Sequence, residues 1–89
     1  MGFRVFLHPK AVKELSRLDE AVRNRVVEAL KMLEVNPEKA GKRLKPSAFW
    51  SLRVGDYRAI YEIDKNNSKV IVLFVGHRSK VYEDLTKML

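Results

Sequence analysis

Two stretches of alternating apolar and polar residues meet at Gly55-Asp56, and this pattern constrains the fold more than any other part of the sequence. Apolar residues occupy every second position over Trp50–Val54, and the alternation resumes over Tyr57–Ile63. A period of two is typical of strands that bury one face. A two-residue turn between them would join the strands as a hairpin. The sequence therefore predicts an antiparallel sheet built around this hairpin.

The same turn places two cations side by side. If two residues form it, Arg53 lies directly opposite Arg58 on one face of the hairpin. Like charges in such a pair repel by roughly 1 kcal/mol at about 4 Å in water. Folding does not require this pair of like charges, whereas an anion-binding site does. Planar guanidinium groups suit phosphate in particular. Two solvated arginines, with Glu62 as a diagonal neighbour, are the alternative interpretation.

The amino-terminal half predicts one strand and two helices. Phe3–Leu7 is a short apolar segment that ends before Pro9, and proline suits the first turn of a helix. Apolar residues at helical spacing then continue past Asp19, a good helix cap, until Pro37. Two helices with so short a link should form a helical hairpin.

The carboxy-terminal half completes an α+β fold. Val70–Val75 is apolar without interruption, which is typical of a strand covered on both faces. In the remainder of the chain, the spacing of Val81, Leu85, Met88 and Leu89 permits a short, amphipathic last helix. We predict a single domain over residues 1–89, with an N-terminal strand, a helical hairpin, three strands in a meander and a C-terminal helix. The sheet should be mainly antiparallel and four-stranded, with helices on one face and Arg53 and Arg58 on the uncovered face.

The charge of the chain narrows its partners. There are 18 Lys and Arg against 11 Asp and Glu, a net charge of +7. Such a surface favours polyanions, nucleic acid first and an acidic protein second, although it can also merely maintain solubility. Positions 37–46 lack periodicity and predict a basic loop. Its cations Lys42, Arg43 and Lys45 are either solvated or follow a nucleic-acid backbone.

Several classes of site are excluded by composition and spacing. The chain has no cysteine, and therefore no disulfide, thiolate nucleophile or cysteine-ligated zinc. His8 and His77 are too far apart in sequence to indicate a metal site, and no Gly-rich phosphate loop is present. We expect neither a metal nor a cofactor. Without a signal peptide or the roughly 20 apolar residues of a membrane span, the protein is expected to be cytoplasmic.

Three candidate functional residues follow the apolar strand. His77 and Arg78 come directly after Gly76, at a strand end, where a rigid scaffold commonly positions binding groups. Tyr82 follows in the last helix, and its flat ring can stack on a base or pack in a core. An imidazole can exchange protons near neutral pH, although a lone histidine is more often structural.

Two segments, LRVGDYRAIYEI and VIVLFVGHRSKVYEDL, resemble the carboxy-terminal half of the RelE family, in the RelE/ParE superfamily of toxins of type II toxin-antitoxin systems. The preceding strand, helical hairpin and KRLK segment agree with the family layout. The resemblance implies a RelE-like fold, similar to that of small microbial RNases. It also implies a ribosome-dependent endoribonuclease that cuts mRNA in the A site, inhibits translation and is neutralised by a RelB-like antitoxin.

The resemblance also assigns roles to residues. It matches the family's functional Arg, Arg and Tyr to Arg58, Arg78 and Tyr82. Arg53 matches a basic position before the hairpin. The departure is Ser51, which stands where the best-studied branch has a Lys proposed as a base. His77 stands at another basic position and is our candidate acid or base, since arginine is a poor proton donor.

The chemistry expected of such a site is sparse. RNA brings its own nucleophile, the 2′-hydroxyl, so the protein has to align it, move a proton and stabilise the charge that grows on phosphate. Two alternatives stay open, a ParE-like poison of DNA gyrase and a degenerate homologue that binds without cutting. The ParE branch typically lacks the Arg-Arg-Tyr set, so the presence of all three residues favours RNA cleavage.

Overall fold

The computed structural model describes residues 2–88, except for the side chains of Tyr82, Asp84 and Met88. This part of the chain forms a mixed sheet with helices on both faces. In chain order the elements are β1 (Arg4–Leu7), α1 (Pro9–Ser16), α2 (Glu20–Lys31), a 3₁₀ turn (Met32–Glu34), α3 (Pro37–Ala40), β2 (Lys42–Arg43), β3 (Trp50–Val54), β4 (Tyr57–Asp64), β5 (Lys69–His77) and α4 (Arg78–Met88).

The strands of the sheet are ordered β1-β5-β4-β3-β2. β1 runs parallel to β5, whereas the other neighbouring pairs are antiparallel. The predicted α+β class and the meander of β3, β4 and β5 are confirmed. The sheet has five strands in its described part rather than the predicted four, and the parallel pair makes it mixed.

The additional strand and a short helix lie in the segment that the sequence predicted to be a loop. Lys42 and Arg43 form the edge strand β2, in which Lys42 pairs with Ser51 of β3. Before it, the Asn36 side chain accepts a hydrogen bond from the backbone of α3 and caps that helix. A two-residue strand and a four-residue helix are too short to leave a periodic pattern, which is why the sequence predicted a loop.

The helical hairpin begins where the sequence predicts. His8 Nδ1 accepts the backbone N–H of Lys10 at 3.1 Å, and Pro9 occupies the first turn of α1. Only three residues separate α1 from α2, and the last of them, Asp19, stands at the N-cap position. α1 packs against β5 and α2 packs against β3. We call the side of the sheet that these two helices cover the hairpin face, after the helical hairpin and not after the β-hairpin of β3 and β4.

The larger core lies between the helical hairpin and the sheet. Its buried residues come from both helices, the 3₁₀ turn and three strands, and they are apolar except for the hydroxyl of one tyrosine. They are Ala11, Leu15, Val26, Leu30, Leu33, Leu52, Ala59, Tyr61, Val70, Val72 and Val75.

Tyr61 anchors the segment around α3 to this core. Its ring is fully buried, and its hydroxyl donates a hydrogen bond to the Pro37 carbonyl at 2.6 Å. Burial raises the pKa of Tyr61 to about 12. Gly41 passes so close that a Cβ there would meet the Tyr61 hydroxyl and lie 2.7 Å from the Ser51 carbonyl oxygen. A glycine is therefore required by this approach of two backbone segments.

A second, smaller core lies on the opposite side of the sheet, which we call the α4 face. Buried Ile60, Phe74, Val81 and Leu85 form it. The sequence predicted helices on one face only, and this expectation is wrong because α4 packs against β4 and β5 from the other side. The predicted amphipathic character of the last helix is confirmed at Val81 and Leu85, which are both buried.

A β-bulge in β5 changes which side chains share a face. Ile60 pairs with Phe74 while Tyr61 pairs with Val72, so Leu73 is an extra residue on β5. One inserted residue reverses the alternation beyond it. The carboxy-terminal end of β5 therefore presents Val75, rather than Phe74, to the hairpin face.

Candidate active site

The hairpin that β3 and β4 form around Gly55-Asp56 has the predicted register. Arg53 pairs with Arg58, and Val54 pairs with Tyr57. Gly55 has a φ of +60°, while Asp56 has no positive φ, a combination that fits a type II′ turn. The two arginines therefore lie opposite each other at the end of the sheet next to this turn.

Arg58 lies on the α4 face and is held by β3. It is half-buried, and its Nη1 donates a hydrogen bond to the Ser51 hydroxyl at 3.2 Å. Ser51 is itself buried, with 3% of its surface exposed. On the other side Arg58 pairs with Gly76 of β5, which presents no side chain. Ser51, which the family resemblance matches to a lysine position, thus orients one of the predicted site arginines.

Arg78 is fixed to the same end of the sheet by its backbone. Its N–H donates to the Asp56 carbonyl at 2.8 Å, so the start of α4 is tied to the β3–β4 turn. Its side chain is exposed. Arg53 is exposed as well, with its Nε 3.2 Å from the Gly55 carbonyl oxygen. Tyr82 follows one helical turn after Arg78, but its side chain lies outside the described residues, and its role stays a prediction.

His77 lies at the same end of the sheet but on the other face. It pairs with Tyr57, and the two rings are 5.7 Å apart in an edge-to-face arrangement. Tyr57 packs against the larger core, so both rings belong to the hairpin face. His77 Nδ1 also lies 3.0 Å from the Ser79 hydroxyl. The structure therefore brings Arg53, Arg58 and the start of α4 together and leaves the His77 ring on the opposite side.

The basic segment contributes to the site through its edge strand. Since Lys42 pairs with Ser51, which lies on the α4 face, Lys42 occupies the same face as Arg58. Arg43 donates a hydrogen bond from Nε to the Ser47 carbonyl at 3.4 Å. Lys42, Arg43 and Lys45 are all exposed. The order of strands thus places Lys42, a predicted RNA-binding residue, beside Ser51.

Glu14 is a structural residue of this region that the sequence analysis did not identify. It is buried, its Oε1 accepts the backbone N–H of Val75 at 2.9 Å, and its Oε2 pairs with Lys10 at 2.9 Å. β1 stops beside Val72, so the carboxylate replaces a strand partner for β5 beyond that point. In the sequence, the signal for its burial was its position directly before Leu15, a buried residue of α1. Glu14 therefore supports the strand end that leads to Arg78.

The described residues contain no group of three or more His, Asp or Glu side chains that could hold a metal ion. Among residues 2–88, no helix is long and apolar enough to cross a membrane.

Comparison with known proteins identifies the family. A family model described as the ParE toxin of the type II toxin-antitoxin system parDE matches residues 5–82. The chain belongs to the RelE/ParE toxin family. It is 32% identical over 83 residues to Toxin RelE of Mycobacterium tuberculosis, and the aligned region covers 90% of this chain and 86% of that toxin. It is 33% identical over 85 residues to Toxin RelG of the same organism, with coverage of 92% and 98%.

A solved structure extends this agreement to the fold of the toxin. The RelBE2 toxin-antitoxin complex of M. tuberculosis contains a chain with a TM-score of 0.78 and 32% identity, which covers 88% of this toxin and 100% of that chain. The family resemblance and the RelE-like α+β fold predicted from the sequence are both confirmed.

Proposed function

We propose that this toxin is an endoribonuclease that cleaves mRNA in the A site of the ribosome and thereby inhibits translation. The observation that carries the proposal is the meeting of Arg53, Arg58 and the backbone-tethered Arg78 at one end of the sheet. Guanidinium groups suit a phosphodiester because their planar, paired donors match its oxygens.

Cleavage requires little more from the protein than these residues. The RNA 2′-hydroxyl attacks the adjacent phosphorus, the bond to the 5′-oxygen breaks, and negative charge grows on the phosphate oxygens. Arg58, held by Ser51, and Arg78, at the start of α4, stabilise that charge. Tyr82 orients or stacks on a base. Because charge stabilisation comes from guanidinium groups and the nucleophile from RNA, we expect the reaction to be metal-independent.

The products provide a direct check of this chemistry. Attack by the 2′-hydroxyl leaves a 2′,3′-cyclic phosphate, or its hydrolysed form, on one fragment and a 5′-hydroxyl on the other. Mass analysis of the cut ends should detect these groups. Fragments with a 5′-phosphate and a 3′-hydroxyl would require a different nucleophile and would contradict the mechanism.

The surrounding cations bind the RNA backbone. Lys42 shares the face of Arg58, and Arg53 stands opposite it in the hairpin. Arg43 and Lys45 continue the basic segment at the sheet edge. Four cations that each contact a phosphate would make binding strongly dependent on salt concentration.

His77 is proposed to exchange a proton during cleavage. It reaches the reacting phosphate only where the RNA passes over the end of β5, because its ring lies on the hairpin face with Tyr57. Its contribution should therefore be smaller than that of Arg58.

A cognate antitoxin is the proposed protein partner. The similar M. tuberculosis toxin chain was solved within a toxin-antitoxin complex. With a net charge of +7, this toxin favours a longer, acidic and partly disordered RelB-like chain that covers the arginine cluster. We place the toxin, its antitoxin and the ribosome in the cytoplasm.

Two other functions have specific support. The matching family model is described as a ParE toxin, which favours a gyrase poison. Ser51, in place of the lysine proposed as a base in the family, favours a degenerate homologue that binds without cutting.

Expression in a bacterial host separates the three functions. Wild type and an Arg58→Ala, Arg78→Ala double variant are induced, and growth, mRNA integrity and DNA replication are followed. Growth arrest with fragmented mRNA in wild type alone supports the ribonuclease. Arrest with intact mRNA and stalled replication would instead identify a gyrase poison. Growth without arrest in either strain would identify the binding module.

A further inference from the structure

A cavity of about 420 Å³ lies between α2 and the β3–β4 turn, next to the proposed active site. Its volume is in the range of small-ligand pockets. The lining comes from one side of α2 and from the tip of the hairpin. It consists of Val22, Arg25, Arg53, Val54, Gly55, Asp56 and Tyr57.

The charge of this cavity is positive. Arg25 and Arg53 contribute two guanidinium groups, against the single carboxylate of Asp56. An Arg25 Nη2 nitrogen lies 3.3 Å from the point where a Cβ would project from Gly55, so the guanidinium rests against the turn. Among the side chains that the structure describes, no acidic group forms an ion pair with Arg25. The balance of charges leaves an anion as the preferred occupant.

The rest of the lining suits a nucleoside. Val22, Val54 and Tyr57 are half-buried and pack against the larger core, which holds them in place. The Tyr57 ring also contacts the His77 ring, at 5.7 Å between centroids and with the two ring planes nearly perpendicular. An aromatic ring beside planar guanidinium groups is the combination that proteins use to bind single-stranded nucleic acid, with stacking for the base and paired donors for the phosphate.

We propose that this cavity binds one nucleotide of the single-stranded RNA adjacent to the cleaved phosphodiester. The inference rests on the proposed ribonuclease function and extends it. Arg53 links the two places, because it pairs with Arg58 on the α4 face and also lines the cavity. The RNA therefore passes from Arg58, around the hairpin tip, to Arg25 and Tyr57. An acidic peptide lacks the bases that Tyr57 can stack on, so RNA is the better match.

Binding of labelled oligouridylates of about 4 to about 16 nucleotides to the full-length toxin tests this path. In wild type the affinity should rise with length until the strand reaches the cavity. Arg25→Ala should remove that increase, weaken binding of the longer oligonucleotides by about three- to tenfold, and reduce the magnitude of the salt dependence by roughly one phosphate contact. The shortest oligonucleotides should bind Arg25→Ala as tightly as wild type.

Two variants control this measurement. Lys31→Ala removes the same charge from the other end of α2, outside the cavity, and should leave the length dependence unchanged. Asp56→Asn removes the one carboxylate of the lining and should tighten binding of the longer oligonucleotides. If Arg25→Ala and Lys31→Ala weakened binding equally, the effect would be one of net charge and the proposal would be overturned.

The remaining outcomes separate this proposal from the proposed function. If cleavage requires Arg58 but Arg25→Ala does not change how affinity rises with oligonucleotide length, the nucleotide site is overturned. The proposed ribonuclease function would still hold. Arg25-dependent binding of a polyglutamate peptide, with none of oligouridylate, would assign the cavity to an acidic protein and also overturn it. If every variant, including Arg58→Ala, kept the ribonuclease activity of wild type, the proposed function itself would be refuted.

Discussion

The two faces of the sheet differ in what they contribute to the toxin. Among the residues that the structure describes, eleven buried ones form the core on the hairpin face and four form the core on the α4 face. Where the α4 face reaches the hairpin tip, it carries the half-buried Arg58 and its hydrogen-bonded Ser51 in place of hydrocarbon. The comparison indicates that most of the described core lies on the hairpin face, whereas the α4 face carries polar side chains at the proposed site.

The hairpin face should show the largest effect on stability. Leu33 is fully buried, so Leu33→Ala should lower the free energy of unfolding by about 2 to 5 kcal/mol. The adjacent Met32 is 60% exposed, and Met32→Ala is the matched control with an expected change within about 0.5 kcal/mol. Chemical denaturation measures both. Equal losses for the two variants would break the distinction between core and surface at this position.

The α4 face should show the largest effect on activity. Arg58→Ala removes one of the two groups that stabilise the phosphate charge, and the rate of mRNA cleavage should fall by about 10² to 10³. The stability should change less than in Leu33→Ala, because Arg58 is half-buried whereas Leu33 is fully buried. Arg58→Lys keeps the charge without the planar fork and should recover part of the rate. A parallel loss of stability and activity would show that Arg58 is mainly structural.

The hairpin face should also carry a dependence on high pH. Tyr61 keeps its proton up to a pKa of about 12 in the folded toxin, whereas an unfolded tyrosine ionises near pH 10. Between these values the unfolded state binds fewer protons, so stability falls as the pH rises, by roughly 3 kcal/mol in total. Tyr61→Phe should be less stable near neutral pH, since it loses the bond to Pro37, and should lack this decline. Thermal unfolding at a series of pH values compares the two proteins.

The smallest effect is expected at His77, which lies at the active end of the sheet but on the hairpin face. His77→Ala should slow cleavage by less than the roughly 10²-fold typical of a positioned general acid or base. A rate identical to that of wild type would assign His77 a structural role against Tyr57. A loss as large as that of Arg58→Ala would place it in the reaction despite its face.

The parts of the site that depend only on neighbouring residues could be predicted from the sequence. The register of Arg53 and Arg58 follows from strand alternation and from a glycine suited to the turn, and both signals lie within a few residues. The strand order was harder, because the pairing of Lys42 with Ser51 depends on a two-residue strand. Consequently the presence of Lys42 on the face of Arg58 could not be predicted.

The side of the sheet on which each end residue lies could not be predicted either. The bulge at Leu73 has no glycine or proline to mark it, yet it moves His77 from the face of Arg58 to the face of Tyr57. Helical spacing in the last helix likewise predicted that Val81 would be buried but not against which face. Both outcomes depend on tertiary packing.

Primer extension on an mRNA in a translating extract tests the central claim most directly. Wild-type toxin and the Arg58→Ala, Arg78→Ala double variant are compared, each with and without ribosomes. The account predicts discrete cleavage stops at A-site codons with wild type on ribosomes, and none with the double variant or with ribosomes removed. The same stops from the double variant would contradict the assignment of the arginine cluster as the active site of a ribosome-dependent ribonuclease.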